Sequence, residues 1–137
     1  MNITDIENQI VEDFSVFDDP MDRYDYIMDL GKKMPAFPDE YRRDELLVQG
    51  CQSQVWLHVK EDAGKIIIQA DSNTAIAKGV VSLLVQVFSG QTPETILKSD
   101  LSFLEKIQLR ALLTSQRSNG LTSMINRIKM YAKEYVA

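Results

Sequence analysis

The hydrophobic pattern of this chain changes period twice along its length, which limits the folds that it can adopt. In the N-terminal part, apolar residues such as Ile6, Ile10 and Phe14 recur every three or four positions, as in amphipathic helices. Residues 55–60 instead place successive side chains on two alternating faces, which is typical of a strand with one buried face. The helical spacing then returns up to the C-terminus. Two helices, a small sheet and further helices are therefore predicted, which is the α+β class.

Local signals predict where the two N-terminal helices begin and end. Thr4 and Glu7 have the spacing of a capping box, which predicts the start of the first helix. Pro20 follows two aspartates and is suited to the first position of the second helix. Pro35 and Pro38 end that helix and impose an extended segment, because proline disfavours helical backbone at and before its own position.

The sheet is predicted from three short runs. Leu46 and Val48 alternate before Gly50, residues 55–60 form a second strand, and residues 65–70 return after a turn at 61–64. This order predicts a small antiparallel sheet that packs against helices. It also places the residues that follow Gly50 on the connection between the first two strands.

Residues 74–88 are apolar on nearly every side and are predicted to form a helix buried against the sheet. The stretch is shorter than the roughly 20 residues that span a bilayer, so no membrane span is expected. Asp71 precedes this helix, where it could cap the helix or tether the neighbouring loop, and capping is the favoured interpretation. Residues 114–120 are read as a polar break, with the last helix starting at Leu121.

Length and charge narrow the class of protein. The 137 residues predict a single domain over residues 1–137. A net charge of -5 argues against nucleic-acid binding, which needs a basic face. The charged run 39–45 carries both signs and is read mainly as solvated surface, with a partner contact as the alternative. One cysteine and an acidic N-terminus without a long apolar run predict a cytoplasmic protein without a signal peptide.

Cys51 is the only cysteine, and Gly50-Cys51-Gln52-Ser53-Gln54-Val55-Trp56 surrounds it. One thiol cannot form an internal disulfide or supply a metal centre by itself, and no cluster of residues has metal-ligand spacing, so no metal site is expected. A lone cysteine is often a small buried side chain. Its polar neighbours favour a reactive thiol instead, as a nucleophile, a carrier or a redox sensor. The only histidine, His58, lies on the outward face of a predicted strand and is not favoured as its base.

These seven residues resemble the signature of the SufE family, the sulfur-accepting partners of cysteine desulfurases. Three later segments resemble further motifs of the family in the same order, and they are Asp71-Ser72 with residues 75–79, residues 91–94, and residues 115–121. The resemblance implies an α+β fold similar to the IscU-type iron–sulfur scaffold.

The resemblance also implies a function. A SufS-type or CsdA-type cysteine desulfurase would hold sulfur as a persulfide, and Cys51 would accept it and pass it to a SufBCD-type assembly complex. The chain would then be a sulfur carrier and desulfurase activator, not an enzyme, and a monomer or weak homodimer. It would bind no cofactor, because the pyridoxal phosphate belongs to the desulfurase. A stand-alone cysteine-nucleophile enzyme and a redox-sensing binding module are the alternatives.

Other residues around Cys51 are expected to stabilise its sulfur or to shape its loop. By resemblance, Arg117 lies near the cysteine loop and would stabilise a thiolate or persulfide anion; the alternative is a polar residue near a helix start. Gln52, Ser53 and Gln54 would form hydrogen bonds within the loop or contact the partner. Gly50 would act as a hinge.

A persulfide carrier must shield its sulfur from other thiols. Cys51 is therefore expected to point into an apolar pocket lined by helix 74–88 and by Val55 and Leu57. The loop 48–54 would then have to move outward when the desulfurase docks.

Overall fold

The computed structural model describes residues 2–136 and has an α+β fold, as predicted. A two-stranded antiparallel sheet packs against helices. The helices are α1 (Ile3–Ser15), α2 (Pro20–Lys32), α3 (Ala75–Phe88), α4 (Pro93–Lys98), α5 (Ser102–Lys106), α6 (Leu109–Leu112) and α7 (Ser115–Glu134). The strands are β1 (Val55–Asp62) and β2 (Lys65–Ser72).

Side-chain caps start both N-terminal helices. The Asn2 side chain accepts a hydrogen bond of 2.9 Å from the Asp5 N–H, so Asn2 caps α1. The capping box predicted at Thr4 is wrong, because Thr4 already lies within the helix. Pro20 occupies the first position of α2, and the Asp19 carboxylate caps that helix. The start signal predicted there is confirmed.

The sheet is a single hairpin. Its turn joins Asp62 to Lys65 through Ala63 and Gly64, which both have positive φ (53° and 81°). Two residues with positive φ match the right-handed twist of the strands.

The strand predicted at residues 46–48 is wrong. Asp44–Leu46 form a 3-10 turn, and Leu47 makes one isolated bridge to Trp56. The Val48 N–H donates to the Val55 carbonyl at 2.8 Å. The turn leaves too few extended residues to form a ladder, so this segment anchors the start of the cysteine loop at the edge of β1.

Helix α3 is the buried centre of the fold, as predicted. It packs on β2 and on α2. A Cβ atom added at Gly79 would lie 2.1 Å from the Ile27 carbonyl oxygen, so the backbones of α2 and α3 approach more closely than a side chain would allow. α3 therefore supplies part of the buried surface against which the cysteine site lies.

Helix α7 begins earlier than predicted, because the polar break at 114–120 is helical from Ser115 onward. Thr114 caps the helix by accepting a hydrogen bond of 3.2 Å from the Arg117 N–H. Gly120 consequently lies inside the helix. Within residues 2–136, no helix has both the length and the apolar character needed to cross a membrane.

Candidate cysteine site

Cys51 lies on the loop between the bridge at Leu47 and strand β1, and its side chain is half-buried. Its Sγ atom is 3.5 Å from the Gly120 carbonyl oxygen in α7, to which the thiol donates a hydrogen bond. A thiol is a weak donor, so this contact holds the loop only lightly.

A small cavity of about 20 Å³ lies beside the Cys51 side chain. One water molecule needs about 10–15 Å³ in the same measure, so the space suits one additional heavy atom. Its apolar walls are Val55, Ile76, Ala77, Val80, Leu113 and Met124. The predicted lining by α3 and Val55 is confirmed, and shielding of the sulfur stays a prediction. Leu57 is fully buried but is not part of the lining, so that detail was wrong.

Burial raises the pKa of the Cys51 thiol above its ordinary value. Desolvation disfavours the thiolate, and the carbonyl of Gly120 accepts from the protonated form. With the loop in this position, Cys51 is therefore held as a neutral thiol, which is a poor nucleophile.

Arg117 also lines the cavity, as the resemblance implied. Its Nη1 atom donates to the Tyr24 hydroxyl at 3.1 Å, which connects α7 to α2. Burial alone sets the direction of the Cys51 pKa shift in this arrangement. Stabilisation of a thiolate or persulfide by Arg117 stays a prediction.

Hydrogen bonds fix the loop where it enters β1. The Gln54 N–H donates to the Asn73 side chain at 3.0 Å, and the Gln54 carbonyl accepts from the Ser72 hydroxyl at 2.7 Å. The hydroxyls of Ser53 and Thr74 are 2.8 Å apart. These bonds match the interpretation of Ser53 and Gln54 as loop-forming residues. Gln52 is exposed at the cavity, where a partner could contact it.

Gly50 has the backbone conformation that glycine favours, with φ at 87°. A Cβ atom built there would also lie 2.6 Å from the Ser123 hydroxyl oxygen of α7. The position therefore excludes side chains on two grounds, conformation and space. Whether Gly50 acts as a hinge stays a prediction.

Asp71 is buried and does not cap α3, so the favoured interpretation was wrong. The N-cap position of α3 is Thr74. The Asp71 carboxylate instead lies 2.5 Å from an Arg42 nitrogen and 3.4 Å from Lys78 Nζ. Burial opposes its ionisation, but the hydrogen bond from Arg42 and the charge of Lys78 outweigh burial and lower the pKa of Asp71. Since Asp71 pairs with Trp56 in the sheet, this cluster holds the strand pair beside the cysteine loop.

Arg42 shows that the charged run 39–45 is not wholly solvated. Its guanidinium lies 5.3 Å from the ring centres of Phe37 and of Trp56. An arginine between aromatic rings and a buried carboxylate is a structural residue. The sequence signal was weak, since Arg42 stands within a run of mixed charge.

His58 has a structural environment away from the thiol. Its ring stacks on Tyr41 at a centroid distance of 3.7 Å, and it is not among the residues that line the cavity. Among the described residues, no group of three or more His, Cys, Asp or Glu side chains is arranged to hold a metal ion.

Comparisons of the sequence with known proteins find one family. The family profile described as SufE, Fe-S metabolism associated domain, matches residues 8–132. A SufE-like protein of Rhizobium meliloti (strain 1021) is 42% identical over 131 residues, which cover 92% of this chain and 94% of the relative. A SufE-like protein of Rhizobium etli is 41% identical over 131 residues, covering 92% of this chain and 88% of the relative.

The fold also matches a solved structure. The solution structure of a hypothetical protein from Thermus thermophilus has a TM-score of 0.78 and covers 95% of both chains at 20% identity. At that identity the match supports the fold alone.

Proposed function

Because this chain belongs to the SufE family and so has a role in iron–sulfur metabolism, we propose that Cys51 accepts sulfur from a cysteine desulfurase. The partner would be a pyridoxal-phosphate enzyme of the SufS or CsdA type, which keeps that cofactor. The observation that carries the proposal is the position of Cys51 Sγ, half-buried beside a cavity with room for one more heavy atom.

The transfer is a thiol–persulfide exchange. The Cys51 thiol loses its proton, and the thiolate attacks the terminal sulfur of the desulfurase persulfide. A new S–S bond forms on Cys51 while the old S–S bond breaks. Its electron pair stays on the desulfurase cysteine as a thiolate, so no external oxidant or reductant is needed.

Loop opening and thiol activation belong to the same event in this proposal. In the closed position, burial keeps Cys51 protonated. Outward movement of the loop exposes the thiol to solvent, and its pKa then falls towards the ordinary value of about 8.5. Docking of the desulfurase must stabilise the open position, which links reactivity to the presence of the partner.

The closed position suits storage of the product. A persulfide on Cys51 adds one sulfur atom, which the cavity can hold, whereas a bulky thiol cannot enter a space of about 20 Å³. The chain has one cysteine, so no second thiol within it can displace the sulfur as sulfide. The stored sulfur would pass to a SufBCD-type complex in the cytoplasm, and the chain would act as carrier and activator rather than enzyme.

Mass spectrometry tests the proposal directly. The protein is mixed with a SufS-type or CsdA-type desulfurase and cysteine, and non-reducing peptide mapping follows. A gain of one sulfur atom on Cys51 is expected. A Cys51 peptide that stays unmodified, while the desulfurase carries its own persulfide, would refute it. Oxidation of Cys51 by peroxide without any persulfide would favour the redox-sensing alternative.

A further inference from the structure

Arg127 binds the backbone just before the cysteine loop. Its Nη2 atom donates to the Glu45 carbonyl at 2.7 Å, and its Nη1 atom donates to the Leu47 carbonyl at 3.2 Å. The guanidinium also lies 5.2 Å from the ring centre of Tyr131, whose hydroxyl is 3.1 Å from Nη2. One side chain of α7 therefore holds two carbonyls of the segment that leads into the loop.

The loop is thus held at both ends and only weakly at its tip. Arg127 and the Val48–Val55 hydrogen bond hold the entering end. The exit end is held by the hydrogen bond between the Ser53 and Thr74 hydroxyls and by the bonds of Gln54 with the residues at the end of β2. Between them, the thiol of Cys51 makes one weak hydrogen bond of 3.5 Å. The distribution of these bonds defines residues 49–52 as the part of the loop that is least constrained.

One face of α7 runs along the whole loop. The Gly120 carbonyl accepts the hydrogen bond from the Cys51 thiol, and Ser123 lies against Gly50. Arg127 binds the segment that enters the loop. These α7 positions are spaced by three and four residues, which places them on the same side of a helix. The helix therefore fixes both the resting place of the sulfur and the end about which the loop would turn.

We propose that Arg127 is a positioning residue that anchors the entering end of the loop, confines opening to residues 49–52 and keeps Cys51 Sγ against Gly120. As far as it concerns sulfur transfer, this inference rests on the proposed function. Arginine suits the role because its planar guanidinium can donate to two carbonyls at once. The single ammonium group of lysine does this less well.

Loss of the anchor has a measurable consequence. Arg127→Met keeps a long apolar stem against Tyr131 but removes the donors to both carbonyls. The entering end of the loop then moves with the tip, and the thiol spends more time outside the cavity. Hydrogen bonds to a charged group stabilise a structure more than neutral ones do. Without the two bonds from Arg127, alkylation of Cys51 should therefore become about tenfold faster. Arg127→Lys should restore part of the protection.

Lys129→Met is the matched control. Lys129 is also a cation of α7 that binds a backbone carbonyl, but its partner is Ser99 at 2.9 Å, after α4. Both variants lose a cation and a tether between α7 and another segment. Only Arg127→Met should accelerate alkylation by iodoacetamide and raise amide hydrogen exchange from Val48 to Val55.

The experiment uses the free protein, so its outcome does not depend on any desulfurase. Equal alkylation rates in Arg127→Met and the wild type, at the same folded fraction, would overturn the anchor. Equal acceleration in Lys129→Met would also overturn it, since general loosening of α7 would then explain the effect. A positive result without any persulfide on Cys51 in the mass-spectrometric test would keep the anchor and refute the proposed function.

Discussion

The thiol of Cys51 and the carbonyl of Gly120 lie 3.5 Å apart although 69 positions separate the two residues in the chain. Gly120 lies inside α7, so the thiol meets the helix at a position without a side chain. A Cβ atom there would lie 3.5 Å from Sγ and 3.7 Å from the Cys51 Cα. The glycine thus leaves space beside the sulfur, at the expense of helix stability.

Gly120→Ala should separate stability from sulfur storage. Alanine favours the helix interior over glycine by about 0.5–1 kcal/mol, and its Cβ makes only ordinary contacts with the unmodified thiol. The added methyl group reduces the room for a second sulfur, and overpacking costs about 1–3 kcal/mol. Urea unfolding should therefore show higher stability, while persulfide retention falls about tenfold. Unchanged retention would contradict a storage role for the cavity.

Cys51→Ser should fold as the wild type does and yet abolish sulfur acceptance. The change replaces one atom in a half-buried side chain, so the free energy of unfolding should change by less than about 1 kcal/mol. Stimulation of a SufS-type or CsdA-type desulfurase is the measurement. Full stimulation by the serine variant would mean that the chain activates the enzyme by contact alone.

The reactivity of Cys51 should depend on pH as that of a buried thiol does. Its pKa is raised by burial, so alkylation of the free protein should reach half its limiting rate above about pH 8.5, the ordinary thiol value. A raised pKa adds stability below the unfolded-state pKa, and this stability is lost as the pH rises through the folded pKa. The stability difference between wild type and Cys51→Ser should therefore change above about pH 8.5. A midpoint below that pH would show that the resting thiol is activated.

Asp71→Asn should weaken the fold and flatten its acid unfolding curve. The carboxylate is buried between Arg42 and Lys78, and its loss should cost about 1–3 kcal/mol. Its pKa is lowered, so its contribution is present above the unfolded-state pKa of about 3.9 and is lost as the pH falls through the folded pKa. Asp39→Asn is the control, because Asp39 pairs with the same Arg42 from an exposed position. Equal losses in both variants would refute the burial argument.

Gly50→Ala should displace the loop. The new Cβ would lie 2.6 Å from the Ser123 hydroxyl oxygen, and a φ of 87° is strained for alanine by about 1–3 kcal/mol. Cys51 should become more accessible to alkylation. Adding Ser123→Ala removes the clash but not the backbone strain, so it should restore protection only in part. Full restoration would show that space, not conformation, requires the glycine.

The elements of the fold could be predicted because their signals are local. Pro20 after an aspartate, the alternation after Val55 and the apolar stretch of α3 each act within a few neighbouring residues. The predictions failed where neighbouring residues favoured another local structure or another capping position. Asn2 capped α1 in place of Thr4, and the strand expected at residues 46–48 became a turn with a single bridge.

The sequence by itself determined the α+β class, the buried helix and the loop that carries the cysteine, because hydrophobic period and capping depend on near neighbours. Only the tertiary structure decided the partners of that loop. Each contact joins residues that are distant in sequence. The Cys51 thiol binds the Gly120 carbonyl, and Arg127 binds the backbone before the loop. Beside the loop, Arg42 binds Asp71. A polar or small side chain is compatible with many partners, and the packing of α7 and β2 around the core selects which one it meets.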